Sequence, residues 1–452
     1  MAKPKLTRRQ FLAGGLSSAA AMSIRWPKTR LALGNFVESL WAGALTATSA
    51  TVNAKIGHDS ASVFLHISPH ADFSDPLLSE PGVADMAINN RMVRLPITGL
   101  QPDTQYYYAI EADGLLDINK SGQLHTPGEG VYGFTFAFAS CAREADHPVF
   151  DTILQHTPLF FIHMGDLHYQ NISQNDANLF RAAFDTVLTS PTQGAFYQHI
   201  PVAYMWDDHD YGPNDSDKHS PSRLAARLTY QEYVPHYPLG AGSGDVPIYQ
   251  AFTIGRVRFI MTDTRSERDP YSIPPNDADK SLMGDSQKAW FKQQLLDANE
   301  VYPVIIWVST SPWIADSIWA GLDNWNGFRA ERRELADFIK DNQIRGFHMI
   351  SGDVHMLAID DGTHNNYAAN GGPNFPVMQA AALSSNGTFL IANTYSEGQY
   401  PGSGQFGLMT IEDNGSDCVR IRWSGRNTAD EEIVSWEHTV GDCSYLPLIL
   451  NA

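Results

Sequence analysis

The sequence predicts an α/β protein: a four-layer sandwich, with two sheets between two layers of helices, preceded by a small β-sandwich domain. Two patterns carry this prediction. Residues 36–127 alternate apolar and polar side chains as half-buried strands do, without helical periodicity. From residue 128 onward, short apolar segments alternate with helical ones, as in sheets covered by helices. With 452 residues, of which 43% are hydrophobic, the chain is long enough for both cores.

Residues 1–35 are predicted to form an export signal. The segment Thr7-Arg8-Arg9-Gln10-Phe11-Leu12 precedes a short apolar stretch of small residues, and further basic residues follow it. This arrangement resembles a twin-arginine signal, which sends folded proteins through the twin-arginine translocation machinery of the bacterial inner membrane. It implies a periplasmic or secreted protein. Because no later segment reaches about 18 uninterrupted apolar residues, we predict no transmembrane segment.

The charge of the chain restricts its partners. The formal net charge is -19, and seven of the 31 basic residues lie within residues 1–30, where there is no acid. The rest of the chain therefore has 24 basic against 50 acidic residues, a net charge of -26. Such a body repels polyanions, so we expect no nucleic-acid binding. An anionic substrate would need local cations, and metal ions are the obvious source where Lys and Arg are so few.

The small β-domain is predicted to span residues 36–127. Its clearest mark is Leu100-Gln101-Pro102-Asp103-Thr104-Gln105-Tyr106, followed by two further tyrosines at a strand entrance. The run resembles the tyrosine corner of fibronectin type III-like sandwiches, in which the hydroxyl bonds to upstream backbone. The alternative is an ordinary turn before a strand. No chemistry is evident in this domain, and we interpret it as a packing or substrate-framing module.

The α/β domain is predicted to span residues 128–452. Its strands are predicted at 134–139, 159–164, 202–206, 257–262, 304–308 and 346–350. Its helices are predicted at 148–156, 178–188, 223–234, 286–298 and 329–342. The tail adds strand-like segments at 377–383, 406–411 and 418–423 without clear helices between them. We interpret these segments as a second, mixed sheet, which would complete the four layers.

Polar clusters follow five of these strands at their carboxyl ends, where open α/β sheets place their sites. A single Gly-Asp pair is a weak signal, but five clusters at five strand ends are a strong one. The clusters are Ala139-Ser140-Cys141-Ala142-Arg143, Gly165-Asp166-Leu167-His168-Tyr169, Trp206-Asp207-Asp208-His209-Asp210, Asp263-Thr264-Arg265 and Ser351-Gly352-Asp353-Val354-His355.

In this order the five clusters resemble the calcineurin-like metallophosphoesterase superfamily, and within it the alkaline phosphatase D (PhoD-like) family. The likeness also includes the export signal and the small β-domain, so it covers nearly the whole chain. It implies the αββα metallophosphoesterase sandwich and a metal-dependent phosphoric ester hydrolase. It also implies a binuclear metal site, whose ligands would be Cys141, Asp166, Tyr169, Asp208, Asp353 and His355.

The chemistry of these residue types agrees with that implication. A carboxylate such as Asp166 has two oxygens and can bridge two cations, and a phenolate such as Tyr169 suits a hard, oxidised metal such as Fe(III). Cys141 would bind as a thiolate. The alternatives are a capping Asp166, a packing Tyr169 and an inert, buried Cys141. Because the Asp pair is ambiguous by one position, Asp207 is an alternative ligand to Asp208.

Two residues are the candidate catalytic groups. By the resemblance, His209 would stabilise the transition state or act as general acid for the leaving oxygen. Arg265 would either bind a phosphate oxygen bidentately or pair with Asp263 and fix the loop, and both readings stay open. We interpret His163 and His168 as packing or surface residues.

One departure from the superfamily pattern bears on the metals. The strand at 304–308 is followed by Ser309-Thr310-Ser311-Pro312-Trp313, where the superfamily has a histidine. The second metal site would therefore be rich in oxygen, which favours Ca²⁺ or another hard divalent ion over zinc. The resemblance itself implies Fe³⁺ plus Ca²⁺, and the sequence leaves other divalent ions open. Of the three cysteines, Cys418 and Cys443 would be able to pair in an oxidising compartment.

The sequence thus predicts an exported phosphatase that hydrolyses small-molecule phosphate esters by attack of a metal-activated hydroxide on phosphorus. One alternative is a phosphodiesterase or phospholipase D-like hydrolase that uses the same site. An alternative of another class is an exported surface- or glycan-binding protein, which the acidic body and the sandwich module would suit. That protein would not need Cys141, Asp166 or His209.

Overall fold

A computed structural model describes residues 32–315, 323–388 and 395–441. Residues 1–31 of the predicted twin-arginine signal, and Cys443, the expected partner of Cys418, lie outside the described residues. Within the described ranges, no helix has both the length and the apolar character needed to cross a membrane. Cys141 is a free, buried cysteine.

The N-terminal module consists of two antiparallel sheets. Their strands are β1 (Ala32–Leu33), β2 (Val37–Gly43), β3 (Ser49–Ile56), β4 (Ser60–Ser68), β5 (Leu77–Leu78), β6 (Gly82–Ala84), β7 (Met92–Thr98), β8 (Gln105–Ala112) and β9 (Leu115–His125), and a short helix, α1 (Met86–Asn89), precedes β7. One sheet has the order β2-β3-β7. The other has the order β1-β9-β8-β4-β5, with β6 paired to β4. Buried side chains of both sheets, such as Val52, Leu65 and Leu95, share one apolar core.

The predicted corner hydrogen bond is present at the entrance of β8. The Tyr106 hydroxyl accepts a 2.8 Å hydrogen bond from the backbone N–H of Gln101, and Tyr106 is 3% exposed. This bond fixes the turn before β8, as the motif predicted. That the module is of the fibronectin III type stays a prediction.

The α/β part is built on two mixed sheets. The first has the order β12-β11-β10-β20-β21-β22, and the second has the order β13-β14-β15-β16-β18-β17-β19. Their strands are β10 (Phe134–Ala139), β11 (Phe161–Met164), β12 (Val202–Met205), β13 (Gln250–Ile254), β14 (Val257–Thr262), β15 (Val304–Ser309), β16 (Phe347–Ser351), β17 (Met356–Asp360), β18 (Val377–Ala380), β19 (Gln399–Pro401), β20 (Gln405–Asp413), β21 (Cys418–Asn427) and β22 (Glu432–Gly441). Strands β10, β11 and β12 are mutually parallel, and so are β14, β15, β16 and β18.

Helices cover the outer faces of these two sheets. They are α2 (Val149–Gln155), α3 (Ala177–Leu188), α4 (Gln193–His199), α5 (Asp208–Tyr211), α6 (Arg223–Tyr233), α7 (Asp285–Val301) and α8 (Arg329–Asp341), with a 3₁₀ turn at Trp325–Phe328. Because side chains alternate along a strand, β15 faces two cores. Its Ile306 belongs to the core between the sheets, and its Trp307 packs on Phe291 of α7 with ring centroids 4.8 Å apart. The layers are therefore helix, sheet, sheet and helix.

The tail strands are placed differently from the prediction. We expected 377–383, 406–411 and 418–423 to share one sheet, whereas β18 joins the second sheet and β20 and β21 extend the first. Strand β20 pairs antiparallel with β10, in the centre of the first sheet. Apolar alternation identifies a strand but contains no information on its partner, which is why this grouping was wrong.

The N-terminal module is fixed to the α/β part by buried hydrogen bonds. The Trp41 indole and the Asn53 amide both donate to the carbonyl of Tyr233, at the end of α6, at 2.9 and 3.0 Å. The Tyr108 hydroxyl donates to the Gln198 carbonyl of α4 at 2.9 Å. These contacts support the interpretation of the module as a packing domain.

Loss of one such contact should destabilise the chain measurably. Lys55 is 7% exposed and donates to the Asp185 carboxylate (2.8 Å) and the Tyr233 hydroxyl (3.0 Å). Lys55→Met keeps the length of the side chain but removes the ion pair with Asp185 and one of the hydrogen bonds to the Tyr233 hydroxyl, so we expect a loss of about 1–3 kcal/mol in the free energy of unfolding. Urea unfolding measures it, with Lys120→Met on β9 as the control. Equal stability of the two variants would contradict this role for Lys55.

Candidate metal centre

The five predicted clusters follow β10, β11, β12, β14 and β16 directly at their carboxyl ends. Because these strands run parallel within each of the two sheets, the clusters can meet at one edge of the sandwich. Three of the residues after these strands have positive φ angles: Cys141 (66°), Asp166 (58°) and Asp353 (68°). Non-glycine residues rarely adopt this conformation, and its repeated use at one edge is typical of a functional site.

Cys141, Tyr169, His355 and Asp353 form one side of the site. The buried Cys141 Sγ lies 3.4 Å from the backbone carbonyl oxygen of Asp353, and the Tyr169 hydroxyl lies 3.3 Å from His355 Nε2. His355 Nδ1 donates to the Asn386 carbonyl at 2.5 Å, so the lone pair of the neutral ring is on Nε2. A backbone carbonyl that fixes the tautomer in this way is typical of metal-binding histidines.

Asp166, Asp208 and His209 form the other side. A potential ligand atom of each lies within 4.8 Å of those of the other two. Asp166 and Asp208 are buried, at 2% and 3% exposure. The His209 backbone N–H donates to Asp166 Oδ1 at 3.3 Å and to Asp208 Oδ1 at 3.0 Å, which links the carboxylates of the β11 and β12 loops.

The electrostatics of the site fit a bound cation. Burial raises the pKa of Asp166 well above its usual value, and the neighbouring carboxylates of Asp208, Asp207, Asp210 and Asp353 raise it further. Burial likewise raises the pKa of the Cys141 thiol, and the charges of Asp166 and Asp353 add to that shift. A metal ion relieves the repulsion between these groups and deprotonates the thiol, so the donor set suits a metal centre of carboxylate, thiolate, phenolate and imidazole ligands.

Two glycines let the strand-end loops approach each other. Gly165 has φ 93°, and a Cβ there would lie 2.4 Å from the Asp207 Cβ. A Cβ on Gly352 would lie 2.6 Å from Ser140 Oγ and 2.7 Å from the Met164 carbonyl oxygen. The first position joins the β11 and β12 loops, and the second joins the β16 loop to those of β10 and β11. Glycine is needed at both for the loops to meet.

Asp210 connects the two carboxylate loops. Its carboxylate accepts hydrogen bonds from the backbone N–H of Leu167 (2.8 Å) and of Asp207 (2.7 Å), and from the Tyr204 hydroxyl (2.6 Å). Leu167 follows Asp166, and Asp207 precedes Asp208, so Asp210 positions both candidate ligands at once. Asp210 lies within one of the five predicted clusters, but the sequence pattern indicated no role for it.

Replacing Asp210 tests this positioning. Asp210→Asn keeps the shape but loses one acceptor oxygen, so we expect about 1–3 kcal/mol less stability and a fall in kcat of about 10–100-fold. Urea unfolding and steady-state hydrolysis of a nitrophenyl phosphate measure the two effects. Asp151→Asn, on the exposed face of α2, makes the same change away from the site. An Asp210→Asn variant with unchanged kcat would contradict the positioning role.

His209 is held by a hydrogen bond and by stacking. Its ring lies 4.1 Å from the Tyr169 ring centroid, and its Nδ1 donates to Asn171 Oδ1 at 2.6 Å. Asn171 uses its amide N–H₂ on the Tyr169 carbonyl, which assigns its oxygen to His209. In the neutral ring, Nε2 is therefore an acceptor, and His209 needs a second proton to act as an acid. Burial lowers its pKa, whereas the charge of Asp208 raises it.

Arg265 has different partners from those expected. Its guanidinium pairs with Asp207 and bidentately with Asp323, at 2.7 and 2.8 Å, rather than with the side chain of Asp263. Asp263 instead accepts from the backbone N–H of Arg265 and from the Trp206 indole. Asp323 was not predicted from the sequence, because it does not directly follow any predicted strand. Asp208, Asp215 and Asp323 form a second acidic group with ligand atoms within 4.8 Å of one another.

Three further residues of the sequence prediction are Thr310, His163 and His168. Thr310, in the segment after β15 that contains no histidine, donates to Asp207 Oδ1 at 3.1 Å. His163 and His168 are buried, and each makes edge-to-face contacts with aromatic rings, consistent with packing. Within the described ranges, the structure thus brings Cys141, Asp166, Tyr169, Asp208, His209, Asp353 and His355 together at one edge.

Comparison with known proteins gives a consistent set of relatives. The sequence profile of the PhoD-like phosphatases matches residues 136–400. Alkaline phosphatase D of Bacillus subtilis (strain 168) is 27% identical over an alignment of 312 positions, which covers 58% of this chain and 53% of that protein. The match therefore spans about half of the length of this curated relative. A solved structure described as that of PhoD superposes with a TM-score of 0.74 at 17% identity, over 92% of each chain, which shows a shared fold.

Proposed function

The chain belongs to the PhoD-like phosphatase family, whose profile it matches over residues 136–400, and we propose that it is an exported, metal-dependent phosphatase that hydrolyses phosphate esters at a binuclear centre. The observation that carries this proposal is the convergence of side chains from four strand ends, far apart in sequence, on one site. Cys141 contacts the Asp353 loop, Tyr169 contacts His355, and Asp166 adjoins Asp208.

The proposed ligands divide into two groups. Cys141, Tyr169 and His355 would hold the first ion, which favours Fe³⁺ because thiolate and phenolate are anionic donors. Asp208 and Asp353 would hold the second ion with oxygen donors, which favours Ca²⁺, and Asp166 would bridge the two. When bound, the ions supply a nucleophile at neutral pH and neutralise charge on the phosphate oxygens. Asp207 is the less favoured ligand because it is paired with Arg265.

The other side chains would act on orientation and on protons. The Asn171 hydrogen bond fixes the His209 ring beside Tyr169. Protonated on both nitrogens, His209 would donate from Nε2 to the leaving oxygen. Neutral, it would accept a hydrogen bond there. Arg265 would fix Asp207 and the β12 loop rather than bind phosphate directly, because Asp207 and Asp323 already accept from its nitrogens.

Export by the twin-arginine route fits this proposal. A centre assembled from several loops is complete only in the folded chain, and that route carries folded proteins. The periplasmic or secreted location therefore rests on the signal predicted at residues 1–35, of which residues 1–31 lie outside the described residues. Small-molecule phosphate esters are the proposed substrates.

Hydrolysis of 4-nitrophenyl phosphate and of bis(4-nitrophenyl) phosphate tests the function. We expect the metal-loaded protein to hydrolyse at least one of them, and the ratio of the two kcat/KM values decides between a phosphatase and a phosphodiesterase. Elemental analysis, together with a search for a visible thiolate or phenolate charge-transfer band, identifies the metals. Inertness towards both esters in a protein that contains two metal ions per chain would refute the proposal.

A further inference from the structure

Arg143 lies at the opening of the site and is not used by the proposed chemistry. It follows Cys141 by two residues, after the end of β10, and its side chain is exposed. The guanidinium carbon lies 5.1 Å from the centroid of the Tyr169 ring, within the range of a cation–π contact. Arg143 therefore approaches the site over Tyr169 and stays in contact with solvent.

The surroundings of Arg143 place it beside both histidines of the site. Tyr169 stacks on His209 with ring centroids 4.1 Å apart, and its hydroxyl lies 3.3 Å from His355 Nε2. The positive charge of Arg143 contributes to lowering the pKa of each histidine, in addition to the larger effect of burial. One cation is thus close to His209, His355 and Tyr169 together.

The other arginines near the centre have carboxylate partners. Arg265 pairs with Asp207 and Asp323, and Arg268 pairs with Asp323. Arg143 differs from them: over residues 32–315, 323–388 and 395–441, no ion pair and no hydrogen bond of its guanidinium is found. Its N–H groups therefore remain available to an anion that enters the site. In a chain with a formal charge of -19, such a cation at the opening is unusual.

We propose that Arg143 is a substrate-binding residue that donates hydrogen bonds to the terminal phosphate oxygens and so favours monoesters over diesters. The inference rests on the proposed function. A phosphate monoester carries about two negative charges at pH 7 and above, whereas a diester carries one. The planar guanidinium can bind two oxygens of a terminal phosphate at once, which a diester with two esterified oxygens offers less readily. Arg143 therefore contributes more to monoester binding.

A purely structural role gives a different expectation. If Arg143 only stacked on Tyr169 and held its ring, loss of the stacking would affect both substrate classes equally. Lysine separates the two roles, because it keeps the positive charge but not the planar group that stacks well on an aromatic ring.

The test compares Arg143→Gln and Arg143→Lys with Arg345→Gln. Arg345 is exposed and precedes β16, whereas the site follows that strand, so this control removes the same charge at the opposite end of the sheet. For Arg143→Gln we expect kcat/KM on 4-nitrophenyl phosphate to fall roughly tenfold, mainly through KM, and on bis(4-nitrophenyl) phosphate roughly threefold. The Kd for inorganic phosphate, by calorimetry, should rise roughly tenfold. Arg143→Lys keeps the positive charge but not the bidentate geometry, so it should recover part of the monoester preference.

Each outcome decides the proposal. A fall that is equal for both esters, or an unchanged Kd for phosphate, would overturn it, and so would an Arg143→Lys variant as defective as Arg143→Gln. Elemental analysis checks that the variants keep their metals, and if Arg143→Gln loses them, the ester ratio of Arg143→Lys decides. A wild-type protein that is inert towards both esters would refute the proposed function, which is a separate result from an active wild type with unaltered Arg143 variants.

Discussion

Replacing Asp166 by asparagine should lower kcat/KM about a thousandfold or more and reduce the metal content of the protein. Asp166 is the carboxylate that adjoins Asp208 and His209 and that also acts electrostatically on Cys141. The amide keeps the size and one oxygen but removes the charge and the second donor, so it cannot bridge two cations. Steady-state kinetics on a nitrophenyl ester and elemental analysis of the same preparation measure the two effects.

The control for this substitution is Asp297→Asn, which makes the same chemical change at an exposed position of α7. It should leave both kinetics and metal content unchanged. If the Asp166→Asn variant were to keep both metal ions and full activity, the binuclear proposal would be wrong, and the exported binding protein would become the better explanation. A variant that lost its metals but kept full activity would instead show that the metals take no part in the reaction.

The parts of the site that the sequence predicted share one property. Cys141, Asp166 and Asp353 each follow an apolar strand within three residues, so the strand pattern places them at a known edge of the sheet. Their neighbours Tyr169, His209 and His355 lie in the same short clusters. Residues in such clusters can be assigned from the sequence because strand direction determines where their loops meet.

The parts that the sequence missed depend on tertiary contacts. Asp323 lies in no predicted cluster and does not directly follow a predicted strand, yet it forms a bidentate ion pair with Arg265. The Asn386 carbonyl that fixes His355 is backbone, which no side-chain pattern indicates. In the same way, β20 was predicted as a strand, but its pairing with β10 depends on how the chain returns across the first sheet.

The raised pKa values of the carboxyl groups in the site affect how the stability of the metal-free protein changes with pH. Burial raises the pKa of Asp207 to about 6 and that of Asp210 to about 8, both from 3.8, and those of Asp166 and Asp353 are raised as well. At these four carboxyl groups the folded state therefore binds more protons than the unfolded state between about pH 4 and pH 8. Their contribution to stability is greatest below the unfolded pKa and is lost as the pH rises through the folded values, whereas buried histidines such as His163 and His348, whose pKa is lowered from 6.5 to about 3, act in the opposite direction.

Metal removal should expose this dependence. Compared with the chelated Asp166→Asn variant, we expect the chelated wild-type protein to lose on the order of 3 kcal/mol or more of its free energy of unfolding between pH 5 and pH 9, since each pKa unit of one raised carboxyl group corresponds to about 1.4 kcal/mol. The metal-loaded protein should show the opposite trend, because protons compete with the metals for Cys141, His355 and the carboxylates at low pH. Denaturant unfolding at pH 5, 7 and 9, with and without chelator, measures both curves. A chelated wild-type protein whose stability changes with pH no differently from that of the chelated Asp166→Asn variant would mean that Asp166 is ionised and compensated by the protein alone, and the charge of the site would then give no support to a metal centre.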